Sequence, residues 1–212
     1  MTSGNTNGSR EDRAAFHLLG HPLPAIIELA STSGTAVDLF TLSFRRPIML
    51  FLYPSVSTPL RPTPAAWSTI PGATGCTPHL NSITPHIPSL LSKEQNLAIF
   101  ALSTQPHIEQ VEAKHRLNLP FDLLSDEHEE LCKVLEFPSF QVEGKRYFKR
   151  MTLLLRSGQI TRLDYPIEKP EHAAKSAEGL LRSEQELMDE VEARDAATAA
   201  AAQAQAQTQT QA

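Results

Sequence analysis

The sequence predicts an α/β domain with a mixed central sheet and helices on both faces. Three features of the sequence predict it. Residues 47–53 and 97–102 are continuous apolar runs, the segment between them carries helically spaced apolar residues, and an alternating hairpin lies near the end of the chain. An apolar run without alternation marks a strand buried on both faces.

The elements follow in order. Ile27 and Leu29, then a turn around Gly34, then Val37 and Leu39 read as two short alternating strands. The first buried strand occupies 47–53. After a Pro-rich loop over 55–71, Leu80, Ile83, Ile87, Leu90 and Leu91 keep helical spacing up to the second buried strand. Ser103 and Thr104 can cap a helix over 105–117, with Ile108, Val111 and His115 near one face. Residues 121–124 form a short strand. Asp126 and Glu129 have capping-box spacing for a helix through Leu135 that turns Leu131, Val134 and Leu135 inward. A strand over 150–155, a turn at 156–159 and a strand over 160–167 make the hairpin, and a helix over 171–195 closes the order. Parallel crossovers followed by a hairpin and a last helix describe a mixed sheet covered on both faces, and the thioredoxin-like fold is the commonest domain of this size with that order.

The domain spans 15–195. Residues 1–14 are polar and read as a disordered lead, and 196–212 contain only Ala, Gln and Thr, a tail with no apolar face to dock. Of the 212 residues 41% are hydrophobic and 20% charged, ordinary globular values. The net charge of −5, the pI near 5.9 and scattered basic residues give no footprint for nucleic acid. No run approaches the ~20 apolar residues that span a bilayer, and the N-terminus has no basic segment followed by an apolar one, so a cytoplasmic or nuclear protein without membrane contact is expected. Two cysteines, Cys76 and Cys132, exclude a disulfide scaffold.

Cys76 carries the chemistry. In the segment over 70–79, Pro78 suits a first helical position and Thr77 can cap, which puts Cys76 at or just before a helix N-terminus. Unpaired backbone N–H groups and the positive end of the helix dipole there are expected to lower the thiol pKa. Gly72 and Gly75 let backbone amides approach whatever the sulfur attacks. The eight histidines show no metal-binding spacing; His107 and His115, eight apart on one helix, read as packing or solvated residues, and neither a metal nor a cofactor is expected. Gly72 to Gly75 is not a phosphate loop, since no Gly-Lys-Ser/Thr follows.

The runs LFLYPSVSTP, IPGATGCTP, LAIFALSTQ, LPFDLLSDE and KRMTLLL, in that order, resemble the peroxiredoxins, specifically the Q-type or bacterioferritin-comigratory-protein-like branch of the AhpC/TSA proteins. The resemblance covers about residues 20–170. It implies a thiol peroxidase that reduces hydrogen peroxide or alkyl hydroperoxides, with Cys76 as the peroxidatic cysteine, Arg150 as the arginine that holds thiolate and peroxide, and Pro54 as the proline that shields the site. The family motif also has a threonine. Eleven residues over 60–70 interrupt the motif here, so Thr74, close to Cys76 in sequence, is preferred and Thr58, four residues after Pro54, is the alternative.

Many relatives carry a second cysteine five residues after the first, where this chain has Asn81. The resemblance therefore implies a one-Cys cycle completed by an external thiol such as thioredoxin, glutaredoxin or glutathione, in a monomer or homodimer. Cys132, on the flank of its helix's apolar face, reads as a small hydrophobe, with a resolving cysteine as the alternative. Pro85 and Pro88 fall within the helix that starts near Pro78 and are expected to bend, restart or shorten it. The interrupted motif also leaves open a non-catalytic protein of the same fold, a peroxide sensor or a binding module.

Overall fold

The computed structural model describes residues 13–183, 185, 186 and 188. The chain forms one unit through Leu180, and Leu181–Ala212 is a second unit. Of the lead over 1–14, only 13 and 14 are described and they form a turn; the tail over 196–212 lies outside the described residues.

The first unit is built on a seven-stranded sheet. Its strands are β1 (Glu28–Ser31), β2 (Ala36–Asp38), β3 (Ile48–Leu52), β4 (Ala98–Ser103), β5 (Asp122–Ser125), β8 (Met151–Arg156) and β9 (Gln159–Asp164), in the order β2-β1-β5-β4-β3-β8-β9. All five side chains of β3 are buried, as its unbroken apolar sequence requires. It pairs in parallel with β4, Ile48 opposite Ala98, and antiparallel with β8, Ile48 opposite Leu155. β4 and β5 are also parallel, and every other pairing is antiparallel. The helices are α1 (Leu39–Ser43), α2 (Cys76–Lys93), α3 (His107–Leu117), α4 (Glu130–Leu135) and α5 (Ala173–Leu180). This is the mixed sheet with helices on both faces that the sequence predicts.

Several local expectations are corrected. The strand expected to include Leu39 stops at Asp38, whose carboxylate accepts from the Phe40 and Thr41 amides and starts α1. Pro85 and Pro88 do not end α2, which runs on to Lys93. Both prolines lie on the exposed face, and the carbonyls deprived of donors belong to the exposed residues Asn81 and Thr84, so the loss leaves no buried residue without its bond.

Helix α3 begins later than expected, after Pro106, without a side-chain cap. Ser103 instead accepts from the Gln105 amide at 3.2 Å, and the Thr104 hydroxyl donates to the Arg146 carbonyl. Its inward face is Glu109, Gln110 and Ala113, while Ile108 is 63% exposed. A buried polar network, described below, decides this orientation against apolar spacing. In α4, Leu131, Cys132 and Leu135 face inward and Val134 is 53% exposed. Glu129 makes no side-chain cap; the Asp126 carboxylate accepts from the Leu131 and Cys132 amides at 3.1 and 2.8 Å.

One element lacks any counterpart in the sequence reading. Strands β6 (Ser139–Val142) and β7 (Lys145–Phe148) form a separate antiparallel hairpin. Its turn residues Glu143 and Gly144 have φ of 50° and 75°, the mirror-image turn that matches strand twist. The β8–β9 hairpin turns the same way at Ser157 and Gly158. There a Cβ on Gly158 would stand 2.7 Å from Phe44 Cζ, so glycine is needed for space as well as for φ. β9 ends at Asp164, short of the expected 167.

The helix expected over 171–195 is interrupted. A 3-10 turn, Pro170–His172, leads into α5, which ends at Leu180. In the second unit, the Ser183 hydroxyl accepts from the Glu186 amide at 3.1 Å and the Glu186 carboxylate accepts from the Ser183 amide at 2.7 Å, a capping box that starts a new helix. Residues 184, 187 and 189–195 of that expected helix lie outside the described ones. Among the described residues no helix is long and apolar enough to cross a membrane.

Candidate active site

The site lies where β3 and β8, adjacent strands of the sheet, deliver their connections to the start of α2. After Leu52, Tyr53 continues the strand by donating its amide to the Leu102 carbonyl at 3.1 Å, and Pro54 is buried at the strand exit. The chain then makes the insertion over 60–70, with a 3-10 turn at Ala65–Thr69. Trp67 anchors it. The indole packs edge-on to Tyr147 of β7 at 4.8 Å and lies 5.7 Å from Phe140 of β6, with Ala73 and Val142 completing the cluster. The unforeseen hairpin is the platform on which the insertion rests.

Gly75 turns the chain into α2 with φ of 90° and serves as N-cap; its carbonyl accepts the first helical bond, from the His79 amide. Thr77 is therefore inside the helix and does not cap it, and Pro78 stands third. The first turn tolerates proline because its N–H groups have no helical partner. A Cβ on Gly75 would lie 2.7 Å from Pro170 Cγ, so the segment before α5 closes directly over this turn.

Cys76 is the first residue of α2 and 4% exposed. Arg150, 3% exposed at the mouth of β8, donates from Nη2 to Cys76 Sγ at 3.1 Å. The same guanidinium donates to the carbonyls of Gly72, Ala73 and Thr74, so it also shapes the loop that presents the sulfur. Ser55 shares the cavity wall with Cys76, and its backbone amide acts on the sulfur. Contrary to the lowering expected from the helix terminus, burial pushes the Cys76 thiol up, and the Arg150 charge and the hydrogen bonds from Ser55 and Arg150 pull it down without cancelling that. Local position at a helix end cannot register desolvation, which comes from the rest of the fold.

A cavity of about 380 Å³ opens above Cys76. Ser55, Val56, Trp67 and Thr74 are among its walls. Thr74, exposed, faces this space; Thr58 does not line it, and its buried hydroxyl has no hydrogen-bond partner. Pro54 is likewise not part of the wall. Thus Cys76, Arg150 and Thr74 come together, Pro54 sits at the strand exit just before the wall residue Ser55, and Thr58 stands apart.

Three features escape the sequence reading. His79, one turn beyond Cys76, is fully buried with both ring nitrogens unpartnered, and burial together with the Arg150 charge holds it neutral, pushed down to about 3. Its helical spacing from Cys76 is the signal that could have found it. Trp67 stands out as the one tryptophan of the chain. The third is polar: Gln105 and Glu109 are buried, and Arg61 of the insertion meets Glu109 at 2.8 Å. Cys132 packs in the main core beside Leu131, Leu135 and Phe137, and burial and Asp126 push its thiol up to about 11. Among the described residues no three His, Cys, Asp or Glu side chains group as metal ligands.

No protein-family model matches the sequence, and no curated protein matches it. Solved structures do match. The peroxidoxin BcpB of Mycobacterium tuberculosis is 20% identical with a TM-score of 0.60, over 78% of this chain and 98% of that one. A mutant of Xylella fastidiosa PrxQ is 17% identical with a TM-score of 0.59, over 77% of this chain and 94% of that one. Peroxiredoxin Q of Xanthomonas campestris is 20% identical with a TM-score of 0.57, over 75% of this chain and 94% of that one. The architecture of this chain, sheet order and helices alike, is thus the thioredoxin-like fold as peroxiredoxin Q and bacterioferritin-comigratory structures display it.

Proposed function

We propose that this protein is a thiol-dependent peroxidase that reduces hydrogen peroxide or alkyl hydroperoxides through a sulfenic acid on Cys76. The observation that carries the reading is the 3.1 Å contact of Arg150 Nη2 with Cys76 Sγ beneath a cavity at the start of α2. Cleavage of an O–O bond by sulfur needs a thiolate nucleophile, a cation beside it and donors for the charge that develops on oxygen. Arg150 supplies the cation in a fixed fork, and Ser55 and Thr74, both in the cavity wall, are placed to offer a backbone amide and a hydroxyl as donors. Likeness to a Vibrio vulnificus Prx3 described as reduced and in complex with hydrogen peroxide, 17% identical with a TM-score of 0.58, supports the substrate class.

In the first step the Cys76 thiolate attacks one peroxide oxygen. An S–O bond forms, the O–O bond breaks, and the departing oxygen takes a proton and leaves as water or alcohol. Sulfur is oxidised by two electrons to the sulfenic acid. A thiol then displaces water to give a mixed disulfide, and a second thiol releases Cys76 and carries away the disulfide. A one-Cys cycle is favoured because Asn81 stands five residues after Cys76 and Cys132 is a packed core thiol held protonated. The reductant would be thioredoxin, glutaredoxin or glutathione, consistent with a reducing cytoplasmic or nuclear setting.

The raised thiol of Cys76 favours a second reading, a non-catalytic sensor of the same fold that reacts with peroxide slowly. Peroxide consumption with dithiothreitol or a thioredoxin system decides between them. Turnover that vanishes in Cys76→Ser and largely survives in Cys132→Ser is the expected result; no turnover in the wild-type protein selects the sensor.

A further inference from the structure

The connection between β3 and the insertion is gripped from the β4–α3 connection by a side chain that does not line the cavity. Gln105 is 1% exposed. Its Oε1 accepts from the Val56 amide at 2.7 Å and its Nε2 donates to the Val56 carbonyl at 2.9 Å, so one carboxamide satisfies both polar groups of one loop residue. Nε2 also donates to Glu109 Oε2 at 3.0 Å, and Glu109 Oε1 is held by Arg61 at 2.8 Å. The Gln105 backbone is fixed in turn: its amide donates to Ser103 Oγ and its carbonyl accepts from the Ser125 hydroxyl at 2.7 Å. Arg116 adds a donor to the Ser57 carbonyl at 2.7 Å. A loop residue bound on both sides from a rigid strand end and helix cannot rotate its peptide planes without breaking a buried bond.

We propose that Gln105, braced by Glu109 and Arg61, is a positioning residue for the Cys76 site, locking Val56 so that the preceding Ser55 amide is held against the sulfur. The inference deepens the peroxidase reading and rests on it for its rate consequence. The logic is steric and electrostatic together. Ser55 and Val56 share a peptide unit, so the carboxamide that fixes Val56 N–H fixes the plane next to the Ser55 amide. A backbone amide aimed in advance at a thiolate stabilises it without reorganisation at the moment of reaction. Among uncharged side chains of this length, only a carboxamide offers the acceptor and the donor in one plane.

The test compares the wild type with Gln105→Met, which keeps the length and loses both bonds, and Gln105→Asn, which keeps the chemistry but is one methylene too short to reach both Val56 groups. Ile160→Ala, in the core of β9, matches a loss of stability at a distance from the loop. Two quantities are measured for each variant that circular dichroism shows to be folded. One is the rate of Cys76 oxidation by hydrogen peroxide; the other is the Cys76 pKa from the pH dependence of its alkylation by iodoacetamide. Both Gln105 variants are expected to raise the pKa and slow oxidation by about 10-fold or more, on the scale of removing one preorganised donor. Alkylation at the high-pH plateau should stay within about 3-fold, since the thiolate itself is unchanged, and Ile160→Ala should move neither quantity. A wild-type pKa in either folded Gln105 variant overturns the proposal, as does an equal shift in Ile160→Ala. If the wild type consumes no peroxide the enzymatic reading fails, while the alkylation pKa still judges the clamp.

Discussion

Arg150 donates to Cys76 Sγ at 3.1 Å and, from the same guanidinium, to the backbone carbonyls of the loop that carries the cysteine to its helix. One side chain therefore sets both the charge beside the sulfur and the position of the sulfur. Arg150→Lys keeps the charge but loses the fork, and should slow Cys76 oxidation by peroxide about 10²-fold, with Arg150→Met slower still. Arg146, which instead engages Glu129 and Ser139, is the control, and its replacement by Met should leave the rate nearly unchanged. Stopped-flow oxidation rates of the folded variants check this; equal rates in wild type and Arg150→Met remove the mechanism.

Burial raises both thiols, and the sign of the pH effect follows. A thiol held protonated in the folded state contributes stability that is complete below its unfolded value of about 8.5 and is lost as the pH climbs through the folded value. For Cys132 that value is about 11. Urea unfolding at pH 8 and pH 10.5 should show the wild type losing more stability over this interval than Cys132→Ala. An identical loss in both would place the alkaline sensitivity elsewhere.

His79 works in the opposite direction. Its folded value near 3 lies below the ordinary 6.5, so the buried ring stays neutral while the unfolded ring takes a proton. The stability it permits is complete above about pH 6.5 and falls as the pH drops toward 3. His79→Leu removes this liability together with two buried unpartnered nitrogens, and should shift acid unfolding to lower pH. A histidine resonance titrating near 6.5 and assigned to His79 in the folded protein would contradict the burial.

Gly75 has no room for a side chain and no conformational equivalent. Its φ of 90° and the 2.7 Å approach of Pro170 Cγ to a notional Cβ act together. Gly75→Ala should destabilise the protein by about 1–3 kcal/mol through backbone strain alone, and should slow Cys76 oxidation because the loop that Arg150 grips must move. Thermal unfolding and the oxidation rate together test this, and a variant as stable and as fast as the wild type would refute it.

The sheet was legible because its central strands are written in composition: nothing but apolar residues over 48–52 is compatible with a strand between two others. Helix α2 was legible from spacing, since Leu80, Ile83 and Leu90 do face inward. The inner face of α3 was not, because Glu109 and Gln110 are buried against Arg61 and the Leu124 carbonyl, which lie elsewhere in the sequence, and apolar periodicity is blind to a hydrogen-bonded polar network. The hairpin β6–β7 escaped for a different reason. Phe140 and Val142 alternate correctly, but the strands are short and flank a Glu-Gly turn less conspicuous than Asn-Gly. At the site, Cys76 and Arg150 were legible through their segments, and their juxtaposition is now geometry. The direction of the thiol shift was not, since it depends on how completely the fold excludes water from the sulfur.

The chain's one tryptophan sits in the wall of the cavity above Cys76, edge-on to a tyrosine from another element. Indole emission responds to nearby aromatic rings, sulfur and water. Light collected from this protein under tryptophan excitation therefore originates at one address, and no label is needed to observe it. Undocking of the insertion or a change in the state of the sulfur would be recorded as a change in brightness or colour. The packing that holds the insertion in place also equips the molecule with an optical gauge of its own chemistry.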